Sequence, residues 1–228
     1  LKNGYDGEKL NLLVGKFGLH YFNGYIQDLR ITRKAVYENT CVVIPSSLFD
    51  TNAVGSTSEP LCSEIQLHIK SDTVNESDFI FDDSDYNNQI TMVGNVHHET
   101  DEPFIGKSSI YFDGNGDHLD IGDTSTFKFL HDKTTDFTIE CYIRPANVSG
   151  AKAIIDFRTT GTEVSPYLYL DGTNLKYFVN NLVVWSGNTT LAANTWYHIA
   201  LVRSSGTTKV YVNGALDGAS NYVDTNNY

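Results

Sequence analysis

Short runs in which apolar residues recur at every second position, broken by Gly, Asn, Asp and Ser, fill most of the chain. The clearest covers residues 194–216 (NTWYHIALVRSSGTTKVYVNGAL). Residues 196–203 read as a strand, residues 204–208 as a tight turn, residues 209–213 as the returning strand, and Asn213-Gly214 as a second turn. Trp196, His198, Ala200 and Val202 fall on one face of the first strand, and Tyr197, Ile199, Leu201 and Arg203 on the other. Both faces therefore carry apolar residues, as in a strand enclosed between two layers.

The same pattern places strands at 10–14 (LNLLV) and 22–31 (FNGYIQDLRI). In the second, Tyr25, Gln27, Leu29 and Ile31 are expected on one face and Ile26, Asp28 and Arg30 on the other. Ile65, Leu67 and Ile69 alternate with Gln66, His68 and Lys70 in a half-buried strand, and an acidic turn then precedes a strand at 89–93. Further strands are expected at 109–112, 118–121, 137–143, 153–157, 167–170, 175–179 and 182–185. No segment sustains helical periodicity. Many short strands separated by Gly, Asn, Asp and Ser turns predict an all-β, antiparallel sandwich of jelly-roll type. Residues 46–63 (SSLFDTNAVGSTSEPLCS) lack periodicity and read as a linker.

Three stretches carry a resemblance: the 194–216 hairpin, SSIYFDGNGDHLDI at 108–121, and DFTIECYIRP at 136–145. Together, in this order, they resemble the laminin-G-like, concanavalin A-like lectin/glucanase jelly rolls. YFDGNGDHL followed by DFTIE and then WYHIALVR is similar to repeats in virion proteins of tailed bacteriophages. GYIQDLRIT and the irregular tail towards Pro45 resemble the closing part of such a domain, yet they stand at the front of the chain. The resemblance thus implies three parts: residues 1–45 as closing strands of a preceding or permuted domain, 46–63 as linker, and 64–228 as a jelly roll lacking its C-terminal strands. Two accounts fit, a fragment of a tandem array or a circular permutation, and the tandem fragment is favoured.

Composition narrows the function classes. The chain has 228 residues, 40% hydrophobic and 12% aromatic, with 18 glycines against 5 prolines, which suits an ordered all-β protein. A net charge of -12 argues against a phosphate-backbone partner, because Lys and Arg supply most non-specific nucleic-acid affinity. Cys41, Cys62 and Cys141 contain no CxxC pair, so neither a zinc site nor a disulfide framework is indicated. Cys141, in phase with Phe137, Ile139 and Ile143, is expected as a buried thiol. A Cys41–Cys62 pairing across the linker stays open, with the unpaired state favoured. No apolar run reaches transmembrane length, so no membrane insertion is expected; no signal peptide is visible, which carries little weight in a chain beginning at Leu1.

Two loops concentrate oxygen ligands of the kind a Ca²⁺ ion takes. Asp113, Asn115, Asp117 and Asp120 surround the glycines of DGNGDHLD, and Asp82, Asp83, Asp85, Asn87 and Asn88 form the acidic turn. Asn-Gly and Asp-Gly hairpin chemistry and Asx capping explain the same residues without a metal, and that reading is favoured. A glucanase of this fold needs paired carboxylates, whereas Glu140 stands alone between Ile139 and Cys141, His97 and His98 are adjacent, and no GxSxG is present. The chain therefore reads as non-enzymatic. Exposed tyrosines and Trp185, beside Asn181, Ser186, Asn188 and Thr190, are the expected sugar platform, with a core position for Trp185 as the alternative. Sequons at Asn75, Asn147 and Asn188 mark surface loops if the chain is secreted from a eukaryotic cell.

What the resemblance implies is a non-catalytic virion component at the virion surface or outside the cell. It would meet other virion subunits, repeats of the same chain, or a host-surface glycan; a secreted lectin-like module of a cellular protein is the alternative.

Overall fold

The computed structural model describes residues 12–37, 62–77, 79–122, 124–132, 134–158, 165–218 and 222–223. Most of the linker, with Cys41 and Pro45, lies outside them.

The described residues form eighteen strands. They are β1 (Leu12–Val14), β2 (Lys16–Phe17), β3 (His20–Tyr21), β4 (Asn23–Thr32), β5 (Ile65–Ile69), β6 (Ile90–Val93), β7 (His97–Glu99), β8 (Ser109–Asp113) and β9 (His118–Ile121). After these come β10 (Phe137–Pro145), β11 (Ala151–Asp156), β12 (Tyr167–Asp171), β13 (Asn174–Val179), β14 (Leu182–Ser186), β15 (Tyr197–Ser204), β16 (Thr207–Val212), β17 (Ala215–Leu216) and β18 (Tyr222–Val223). One sheet runs β14-β13-β12-β11-β1-β9-β6; the other runs β17-β16-β15-β10-β4-β8-β7, with β18 beside β16 and β5 beside β4. Every pairing is antiparallel, as the alternating pattern predicts.

The inner faces of the two sheets bury one continuous core. Ile26, Leu29, Ile31, Ile139, Cys141, Ile143, Ile199 and Leu201 from the second sheet meet Leu12, Val14, Leu119, Ile155, Leu168 and Leu175 from the first. A 3-10 segment, Thr124–His131, which no apolar periodicity announces, contributes Phe127 and Leu130 to the same core. Cys141 is a buried free thiol, as expected, and burial raises its pKa. None of the helices among the described residues is long and apolar enough to cross a membrane.

The front of the chain sits in the middle of both sheets. Strand β1 lies between β9 and β11, and β4 lies between β10 on one side and β5 with β8 on the other. Tyr25–Ile31 thus forms its sheet contacts with strands of the same chain.

One expectation about β4 needs correction. Alternation assigned Leu29 to the face of Gln27, but the pairing with β10 slips between Glu140 and Tyr142, where Arg30 opposes Glu140 and Gln27 opposes Tyr142. Two β4 residues face one on β10, which is a β-bulge, and Asp28 takes the positive φ of 53° within it. The bulge shifts the phase, so Ile26, Leu29 and Ile31 all face the core while Gln27 and Arg30 share the outer face.

Candidate functional site

The outer face of the second sheet is divided in two. Over one half lies the segment after β4. Val36 N–H donates to Thr138 Oγ1 (2.9 Å), Thr138 Oγ1 donates to the Lys34 carbonyl (2.8 Å), and Ala35 and Tyr37 pack on Ala200, Val202 and Tyr211. Beneath this cover sits Glu140. Its Oε1 accepts from Arg30 Nε (3.0 Å) and Nη2 (2.7 Å), while Oε2 accepts from Tyr37 Oη (2.5 Å) and lies 3.2 Å from His198 Nε2. Burial alone would raise the Glu140 pKa, but the Arg30 guanidinium, His198 and the Tyr37 hydroxyl outweigh it and hold the carboxyl at about 2. A general acid needs a raised pKa and access to substrate. Glu140 has neither; it locks β4, β10 and β15 together. Beside it, Asp28 Oδ1 and His68 Nε2, 2.7 Å apart and both buried, tie the bulge to β5.

The other half of the face is open and carries a row of side chains in register across four strands and continued by a residue just before a fifth. His97 on β7 opposes Tyr111 on β8, Tyr111 opposes Tyr25 on β4, and Tyr25 opposes Arg144 on β10. Trp196, immediately before β15, continues the line, with its ring 6.4 Å from Tyr25. Ring centroids are 5.2 Å apart for His97–Tyr111 and 5.3 Å for Tyr25–Tyr111, and the Arg144 guanidinium stands 5.3 Å over the Tyr25 ring. All five are half-buried. At the ~4.8 Å spacing of neighbouring strands, the row extends for roughly 19 Å.

Local chemistry fixes this geometry. Gly24 has φ 136°, and a Cβ there would collide with the Arg144 carbonyl oxygen, so only glycine lets β4 run this close to β10. Gln27, fully buried, spends its whole amide on the loop before β8. Oε1 accepts from Phe104 N (2.9 Å) and Ile105 N (3.2 Å), and Nε2 donates to the Ser108 (2.8 Å) and Ile105 carbonyls. This clamp holds Phe104 stacked on Tyr142 (4.8 Å) and 6.0 Å from Trp196, forming one wall of the row. Glu102 pairs with Arg144 at 3.2 Å. Burial, followed by the Glu102 charge, raises the Tyr25 pKa, so its hydroxyl is a neutral donor and acceptor at physiological pH.

The residues singled out from sequence fall elsewhere. Trp185 is 4% exposed within the core, its Nε1 donating to the Asp217 carbonyl (3.1 Å), so it presents no face to a sugar. Asn188 is exposed, but its N–H donates to Asp217 Oδ1 (3.0 Å); Asn181 lies in the exposed turn after β13 with φ 63°. Neither adjoins an open Trp185 ring.

The acidic loops are built by capping. Asp82 accepts five hydrogen bonds, from the N–H groups of His68, Ser84 and Asn88, from Ser84 Oγ and from Asn88 Nδ2, all between 2.6 and 3.0 Å. Asp117, 1% exposed, accepts from the N–H groups of Asn95 (2.6 Å) and Asp113 (2.8 Å), and a Cβ at Gly94 would collide with its carboxylate. Asp113 Oδ1 caps Asn115 N (2.6 Å); Asp120 lies within β9, and Asp85 and Asn115 are exposed. Among the described residues, no three His, Cys, Asp or Glu side chains converge on a common point.

The two packed antiparallel sheets define a β-sandwich of jelly-roll type. The chain belongs to the concanavalin A-like lectin/glucanases superfamily, whose laminin-G model matches residues 113–228, from the end of β8 through β18. No curated protein and no solved structure matches it.

Proposed function

We propose that this domain is a non-catalytic carbohydrate-binding module whose ligand lies along the His97–Tyr111–Tyr25–Arg144–Trp196 row. The observation that carries this reading is the register of the row. Five half-buried side chains share one open sheet face, with aromatic rings for the C–H faces of a sugar and the Tyr hydroxyls, Arg144 and Glu102 for its hydroxyls. A lectin/glucanase superfamily supports the ligand class. The non-catalytic half of the proposal rests on Glu140, covered and held ionised.

The setting we propose, on resemblance alone, is a virion fibre, tail or capsid surface, where the module serves assembly and host attachment. A secreted lectin-like module of a cell would use the same row. A glycan array with the intact chain tests the binding: signals on a related group of glycans are expected, and silence would defeat the proposal. Turnover of any oligosaccharide in a panel would defeat its non-catalytic part. Recovery of the chain's peptides from purified virus particles tests the setting.

A further inference from the structure

We propose that Phe79 and Phe81 form a second ligand site, for a neutral saccharide, in a cleft distinct from the row. Burial alternates along Phe79-Ile80-Phe81: Ile80 enters the core, and the two phenylalanines are left 66% and 65% exposed. Single exposed apolar residues are ordinary on a protein surface, but here two are paired. Their rings are parallel to within 5°, with centroids 6.2 Å apart, and they border a cleft of about 520 Å³.

The pair is held from both sides. Asp82 anchors the following turn through its five hydrogen bonds. Behind Phe79, His98 Nε2 lies 3.0 Å from the Phe79 carbonyl and therefore carries its proton there, leaving Nδ1 to accept from Ser71 Oγ at 2.6 Å. Ser71 in turn contacts Ser108 Oγ (3.0 Å), which accepts from Thr73 N–H (3.0 Å). A backbone held in this way leaves only the side-chain freedom of the two rings to be lost on binding.

The rest of the cleft selects the ligand class. Lys70, Asp72, Thr73, Ser77 and Asp83 line it, offering donors and acceptors around the rings. Lys70 pairs with Asp83 at 3.7 Å, and Asp72 pairs with Lys107 at 3.9 Å, so among the described residues of the cleft the charges cancel in pairs and favour an uncharged ligand. Such long, exposed ion pairs are worth little and exchange readily for hydroxyl groups. A strand-like peptide is disfavoured, because the free edge of β7 is already occupied: Glu76 N–H donates to the His98 carbonyl and His98 N–H to the Ser77 carbonyl. Apolar rings with a neutral, hydroxyl-matching rim fit a neutral sugar. The site shares a ligand class with the row but none of its residues, so either can fail alone.

The test is titration of the ¹⁵N-labelled intact chain with cellotriose, chitotriose, maltotriose and lactose, and with sialyllactose as the acidic comparison, followed by amide shifts. At least one neutral sugar is expected to move amides of residues 70–83. Phe79→Ala/Phe81→Ala should weaken that response at least tenfold at unchanged melting temperature, since both rings are exposed, and Tyr25→Ala/Trp196→Ala should leave it intact. The proposal is overturned if no neutral sugar moves those amides, if the phenylalanine variant responds like the wild type, or if only sialyllactose acts. It also falls if sedimentation shows a wild-type dimer that the phenylalanine variant cannot form, since the occupant is then a second copy. Failure of the row reading would appear separately, as unmoved amides at Tyr25, Tyr111 and Trp196.

Discussion

Replacing Glu140 by Gln removes the charge that Arg30 was buried to meet. Both side chains are at most 1% exposed, and the guanidinium places two N–H groups on Oε1 at 3.0 and 2.7 Å. Breaking one side of such a pair costs about 3–5 kcal/mol, because the surviving ion stays desolvated without compensation. An independent route uses linkage: a folded-state pKa of about 2 against an ordinary 4.5 corresponds to roughly 3 kcal/mol at about 1.4 kcal/mol per unit. Because the folded pKa is depressed, this stability is fully present above about pH 4.5 and is lost as the pH falls towards 2. Urea melts at neutral pH should therefore show Glu140→Gln less stable by about 3 kcal/mol, and the difference should shrink through the acid range. Arg30→Met/Glu140→Leu, which removes both ions, should recover much of the loss. A variant within about 1 kcal/mol of wild type at neutral pH, or one keeping the wild-type acid dependence, would refute the reasoning and with it the role of the Arg30–Glu140 pair in fixing β4.

Excess chelator should leave the melting temperature unchanged, because the carboxylates of Asp82 and Asp117 are occupied by backbone amides; a fall beyond replicate scatter would restore calcium to one of the two loops. Trp185→Phe should destabilise the fold by about 1–3 kcal/mol, through lost packing and an unpaired Asp217 carbonyl, yet leave glycan binding untouched, as denaturant melts and array signals would show. Gln27→Ala should release the Phe104 loop, seen as faster amide exchange at Phe104 and Ile105 and weaker glycan binding; unchanged exchange would remove the clamp from the account.

The strands were legible because each needs only its own alternation: β5, β10, β15 and β16 lie within a residue or two of their expected places. The bulge at Asp28 was not, since an extra residue in β4 shows only against the pairing strand, and it reversed the assignment of Leu29 and Arg30. The row shares that limit. Its members are far apart in sequence and meet only through three separate registers, so exposed tyrosines could be expected to bind sugar without any indication of which ones. A tryptophan beside Asn and Ser suits a sugar platform, but the Asp217 carbonyl takes the Trp185 Nε1–H and its carboxylate takes the Asn188 N–H, closing the chain over the ring. Asp82 and Asp117 have the composition of calcium loops; long-range contacts, such as His68 N–H to Asp82, make them caps. Phe79 and Phe81 are legible as two large apolar residues flanking an isoleucine, but only the fold shows that Ile80 takes the core and leaves both rings outside.

The most direct test of the central claim is a calorimetric titration of the intact chain with its strongest neutral array ligand, beside Tyr25→Ala/Trp196→Ala under the same conditions. At about 1–1.5 kcal/mol per aromatic contact, the two substitutions together should weaken binding by roughly 30- to 150-fold without lowering the melting temperature by more than a few degrees. Equal affinity in the two proteins would contradict a sugar lying along the row.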